Sequence, residues 1–130
     1  PRTVKAWMSI LESSYIAFHL MPFYTNARKQ VVKTPKLYFY DTGLLCHLLG
    51  IRTVEALVAH PKFGDIFENL IIAETMKQHL NANQEPQLFF YRDASKVEVD
   101  LLDFTDPNNR MLIEINPDKP IMTDSLGTSL

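Results

Sequence analysis

A chain of 130 residues can bury the core of one domain or of two small ones. Hydrophobic residues at 46% against charged residues at 22% exclude a disordered chain, and the single Cys46 excludes an internal disulfide framework. The net charge of −2 is unevenly spread: residues 1 to 40 carry six Lys or Arg against one acid, and the rest carry seven against fourteen.

A basic front and an acidic rear suggest two modules with different partners. Nucleic acid is the usual partner of the basic one, and a lysine-solvated surface is the alternative. Pro1-Arg2-Thr3 leads straight into an amphipathic segment with no secretory signal. The longest uncharged run, Ser13 to Ala27, is too short to span a bilayer and contains Pro22. A cytoplasmic protein without membrane contact is expected.

Thr3 is a helix N-cap candidate, and Val4, Trp7, Met8 and Leu11 follow at the spacing of a helix that buries one face. Tyr15 to Met21 is a continuous apolar run that predicts a strand ended by Pro22. Basic residues then surround a turn, and Pro35 to Tyr40 predicts a second strand. A helix followed by a hairpin with a basic tip is the second half of a winged helix. In that motif a helix enters the major groove while the hairpin grips phosphate, so Lys5, Arg28, Lys29, Lys33 and Lys36 are the candidate DNA contacts. Winged helices also serve as protein docking modules, and that alternative stays open.

Asp41-Thr42-Gly43 opens a short apolar helix over Leu44 to Leu49, stopped by Gly50, and Thr53 starts another that ends near His60-Pro61. The longest helix is expected over Ile66 to Leu80, apolar around most of its circumference. Within it, Glu68 is paired, reaches the surface, or serves a site. The four histidines show no ligand spacing and are expected to be structural or exposed. Leu88 to Arg92, Val97 to Phe104 and Arg110 to Ile115 predict three strands joined by turn-rich segments. Beyond Asn116 neither periodicity holds, so an irregular tail is expected.

Strand alternation puts Glu98 and Asp100 on one face, opposite Val97, Val99 and Leu101. By the same rule Leu112, Glu114 and Asn116 project together. Asp100 and Glu114 could then converge on a hard cation such as magnesium, which activates water for phosphodiester hydrolysis. A lysine two residues after the glutamate would complete that chemistry, but Asn116 stands there with no charge and no titratable proton. Alternating acids on the solvent side of a meander are the plain alternative.

Several blocks taken in order resemble a known arrangement: Thr3-Val4-Lys5-Ala6-Trp7, Lys36-Leu37-Tyr38-Phe39 running into Asp41-Thr42-Gly43-Leu44-Leu45, Phe67-Glu68-Asn69, Tyr91-Arg92-Asp93, Glu98-Val99-Asp100 and Ile113-Glu114-Ile115. It is similar to the C-terminal region of a prokaryotic AAA+ ATPase family, a region long labelled a domain of unknown function. There a P-loop ATPase precedes a winged-helix segment and a domain similar to the PD-(D/E)XK nuclease fold. The resemblance implies that Glu68 is the helix glutamate of the nuclease-like motif, Asp100 its metal-binding aspartate and Glu114 the acid of the E-x-K pair. Asn116 departs from the lysine.

The resemblance also implies magnesium at Asp100 and Glu114, an upstream ATPase module in a parent protein, and a homo-oligomer. No G-x-x-x-x-G-K-[ST] occurs, so no ATP site is expected in this chain. The tail lacks the further helix and strand of that fold, and a fragment or shortened relative is expected.

The expected class is α+β. A winged-helix-like helix plus β-hairpin precedes a truncated restriction-endonuclease-like helix and three-stranded antiparallel meander. The expected units are 1–50, the winged-helix-like segment with its connecting helix; 51–116, an incomplete nuclease-like domain; and 117–130, an irregular tail. Three functions fit: a nucleic-acid-associated module with an inactive nuclease-like site, an active magnesium-dependent nuclease using Asp100 and Glu114, and a protein interaction module.

Overall fold

The computed structural model describes residues 2–24 and 34–126. Helix α1 (Arg2–Ser13) ends in a left-handed residue, Tyr15 with φ 58°, whose N–H bonds the Glu12 carbonyl. The strand expected from Tyr15 therefore starts two residues later, as β1 (Ala17–Pro22). It pairs antiparallel with β2 (Lys36–Phe39), from Ala17 opposite Phe39 to Leu20 opposite Lys36. The expected hairpin is present; its tip, with Arg28, Lys29 and Lys33, lies outside the described residues.

One expectation for α1 is corrected. Trp7 is 65% exposed and Val4 55%, so the stripe predicted to be buried is largely uncovered. The helix lies along β1, where only Met8 and Leu11 of that stripe are half-buried.

Helix α2 (Thr42–Leu48) is capped by Asp41, whose carboxylate accepts the N–H groups of Gly43 and Leu44. Gly50, with φ 74°, ends that segment in the left-handed conformation expected of it. Thr53 caps α3 (Val54–Ala59) through the N–H of Ala56. Helix α4 (Phe63–Asn81) starts three residues earlier than the apolar periodicity indicated. Its buried residues Ile66, Asn69, Ile72 and Ala73 follow the 3–4 spacing of one face.

The chain returns as β3 (Leu88–Arg92), β4 (Glu98–Asp103), β5 (Arg110–Glu114) and β6 (Met122–Leu126), in one sheet of order β2-β1-β3-β4-β5-β6. The meander has four strands rather than three. Glu114 pairs with Met122 and Leu112 with Asp124, so the segment expected to be irregular carries β6. Asn116 makes this possible: its side-chain oxygen accepts the Asp118 N–H at 2.9 Å and closes the turn before it. Periodicity failed there because the strand is short and exposed on its described residues, so no apolar alternation marks it.

The hairpin and the meander join through β1 and β3, which run parallel with Met21 opposite Phe89 and Pro22 opposite Phe90. Pro22 offers no N–H, and the next residue, Phe23, donates to the Phe90 carbonyl at 2.8 Å. Parallel neighbours need a long crossover, which α2, α3 and α4 supply. The core gathers Phe18 and Leu20 of β1, Tyr38 of β2, Leu88 and Phe90 of β3, Leu101 and Ile113 beneath Ile72 and Ala73 of α4.

Asn69 fixes α4 at the hairpin end of the sheet. It is 3% exposed, accepts the Phe39 N–H at 2.8 Å, and donates to the Phe39 carbonyl at 3.0 Å and to Thr42 Oγ1 at 3.1 Å. At the helix's other end His79 joins Asp103 of β4 at 2.6 Å and Gln84 at 2.7 Å. No described helix is long and apolar enough to cross a membrane.

Candidate functional site

Simple alternation fails in β4 at the residue that matters most. Phe89 lies opposite Leu102, but Tyr91 lies opposite Val99, so β4 holds one residue more than β3 at this point. In such a bulge two consecutive residues face one partner, and both can point to the same side. Leu101 enters the core beneath α4, and Asp100 also turns toward α4, into an open cleft. The expected opposition of Asp100 and Leu101 is therefore corrected by the bulge.

The cleft, about 670 Å³ in volume, lies between β2, α2, the first half of α4 and the bulge. Glu68 and Asp100 both line it, together with Lys36, Tyr38, Asp65 and Arg92. Glu68 reaches it because it precedes the Asn69 clamp by one residue and is carried toward β2. Its carboxylate pairs with Lys36 at 3.9 Å. Burial raises the Glu68 pKa; Lys36 opposes that rise, the charges of Asp100 and Asp65 add to it, and the Tyr38 hydroxyl opposes it.

Lys36, expected at a hairpin grip on DNA, points into this cleft instead, with Nζ 4.8 Å from the centre of the Phe90 ring. Tyr38 follows it by two positions on β2 and so shares its face. The Tyr38 side chain is 5% exposed, and among the described residues its hydroxyl is the buried side-chain polar atom that makes no hydrogen bond of good geometry. Burial, and then the nearby Glu68 carboxylate, hold its pKa above the ordinary phenol value.

Glu114 and Asn116 do not line the cleft. Glu114 lies beside Asp100 at the far side of β4, and its pKa is raised by partial burial, then by the Asp100 charge, a hydrogen bond with Asp100 and the charge of Glu98. Asp100 thus stands between Glu68 and Glu114. One of its oxygens accepts the Ile115 N–H at 2.8 Å. Asn116 is taken up by its turn, and Lys5 is exposed on α1.

Among the described residues no three His, Cys, Asp or Glu side chains are grouped closely enough to hold a metal ion. Two carboxylates with water suffice for magnesium, and the all-oxygen pair Glu68 and Asp100 has the right chemistry for a hard cation. Tyr38, Asp65, Arg92 and Asn69 were not picked out from sequence. The alternation of Lys36 and Tyr38 on one strand was the signal available for the first.

Two domains of unknown function match this chain. One family profile (DUF8612) covers residues 1–55 and a second (DUF4143) covers residues 63–126. Uncharacterized proteins of Mycobacterium bovis and Mycobacterium tuberculosis are each 32% identical over 99 residues, which is 76% of this chain and 22% of each relative. The chain thus spans about a fifth of the length of the curated relatives it matches. No solved structure matches it.

Proposed function

We propose that this chain is a nucleic-acid-associated C-terminal module of a prokaryotic AAA+ ATPase, with a nuclease-like cleft that binds a phosphodiester without cutting it. The observation that carries this reading is the meeting of Glu68, from the long helix, with Asp100, from the bulged strand after it, in one cleft that also holds Lys36. Order and placement both agree with the resemblance. The match to the DUF4143 profile over residues 63–126 supports the same reading, as does the basic front of the chain.

Binding rather than hydrolysis is favoured by Asn116. It lies beyond β5, its side-chain oxygen is engaged in a turn, and it offers no proton to transfer. If a divalent cation binds, Glu68 and Asp100 would hold it, and its charge would draw phosphate oxygens to the cleft. Titration of the chain with short duplex DNA at low and then moderate salt tests the reading. Binding that weakens steeply with salt is expected, and no binding at low salt would refute it.

A protein interaction role is the second reading, favoured by the exposed Trp7 and Val4 on α1. It predicts that Trp7→Arg reduces self-association in sedimentation velocity. A sedimentation profile unchanged by Trp7→Arg removes that reading as an oligomerisation role.

A further inference from the structure

Lys36 stands on the edge strand β2, three places along the sheet from the bulged β4, yet it shares a cleft with Asp100. Its side chain crosses Phe90, the β3 residue that faces the bulge, and ends 3.9 Å from Glu68 Oε1. At that distance the contact is an ion pair without a hydrogen bond, so the three N–H donors of the ammonium are not committed to Glu68.

The other cations lining the cleft are differently placed. Arg92 is tied to Glu98 at 2.9 Å, and the Lys62–Asp65 pair at 3.7 Å is largely exposed. Lys36 is 29% exposed, the most enclosed of the three.

The Tyr38 hydroxyl lies on the same face of β2, buried and lining the cleft, near the Glu68 carboxylate but without a hydrogen bond of good geometry. A buried hydroxyl left unpaired is unfavourable unless something completes it. An ammonium whose N–H donors make no hydrogen bond to Glu68, beside a hydroxyl held only loosely by the same carboxylate, matches an anionic, oxygen-rich ligand.

We propose that Lys36 is the phosphate-facing cation of this cleft. It pairs with Glu68 and would turn to a phosphodiester oxygen, with Tyr38 as a second donor; Glu68 and Asp100 would be the carboxylates to hold a divalent cation, which would release Lys36 from Glu68. This rests on the reading that the cleft engages nucleic acid. The lysine that the nuclease-like motif lacks at Asn116 thus has a counterpart on another strand, acting on ligand binding. A lysine that merely offsets the half-buried Glu68 would leave phosphate contacts unchanged.

The test uses the whole chain, a short duplex DNA over a salt series with calcium present, and manganese titrations without DNA. Lys36→Met is expected to lower the salt-dependence slope by about 0.9, the value of one phosphate contact. It is also expected to tighten manganese roughly threefold or more, because a competing charge beside Glu68 is gone. Lys36→Arg should keep the slope.

DNA binding by the native chain together with an unchanged slope in Lys36→Met, or manganese affinity that does not rise, overturns the inference and leaves the broader reading intact. No DNA binding by the native chain overturns both. Should Lys36→Met fail to fold, the double variant Lys36→Met/Glu68→Gln, which removes both charges of the pair, is compared with Glu68→Gln. A slope difference of about 0.9 supports the inference there, and no difference overturns it.

Discussion

The Asp100 carboxylate accepts the backbone N–H of Ile115 at 2.8 Å, so a residue that lines the cleft also holds the β4–β5 ladder together past its last regular pair. Structure and site are coupled at this position. Asp100→Asn retains a side-chain acceptor and should keep the fold, whereas Asp100→Ala leaves the Ile115 N–H without its partner and should lose about 1–3 kcal/mol. Urea denaturation of the two variants checks this. Equal stability would mean that the bond contributes nothing.

Asn69 should be among the least replaceable residues of α4. Asn69→Ala strands the N–H and the carbonyl of Phe39 at once, and either group left unpaired when buried costs roughly 1–3 kcal/mol. We expect a loss of at least that size by denaturation, and a weakened cleft, because Glu68 is the residue just before it. Asn69→Asp keeps the acceptor and loses the donors, so it should be intermediate in stability.

Tyr38→Phe removes a buried hydroxyl that makes no hydrogen bond of good geometry. If the hydroxyl serves a ligand, the variant should match or exceed the native stability, by up to about 1 kcal/mol, while binding DNA more weakly. A loss of stability would indicate a structural partner for the hydroxyl.

His79 offers a pH readout away from the cleft. Burial opposes its charged form, but hydrogen bonds to Asp103 and Gln84 and the Asp103 charge outweigh it, so its pKa is raised in the folded chain. A group raised on folding stabilises fully below its unfolded pKa, near 6.5, and that contribution fades as pH rises through the folded value. Unfolding free energy should therefore fall as pH rises from the unfolded pKa through the raised folded one, and fall less in His79→Gln. An unchanged profile in the variant would exclude the link.

Much of this fold could be read from residue pattern, and the failures have identifiable physical causes. Leu88 to Arg92 was bounded correctly because its apolar run sits between clear turn formers, and Asp41, Gly50 and Thr53 marked helix ends through capping and backbone chemistry. The bulge at Asp100 was invisible, since an inserted residue changes facing without changing composition. The β6 strand lacked apolar alternation, and α1 showed an amphipathic stripe that the described residues leave uncovered.

For the site, the family resemblance points to Glu68 and Asp100, and strand and helix patterns alone do not bring them together; the cleft they share comes from the bulge and the Asn69 clamp. Lys36 was assigned to the hairpin because sequence neighbours suggest a basic tip; its actual direction follows from strand alternation with Tyr38 and from the packing of Phe90 beneath it. Glu114 does meet Asp100, through a hydrogen bond between the two carboxyl groups, but it does not line the cleft that Asp100 shares with Glu68.

The most direct test of the central claim is the effect of manganese on duplex DNA binding at low salt, measured for the native chain and for Glu68→Gln/Asp100→Asn. The native chain should bind, and manganese should strengthen that binding; in the double variant manganese should add nothing, since neither carboxylate remains to hold it. No binding by the native chain, or equal strengthening in both, would contradict the account.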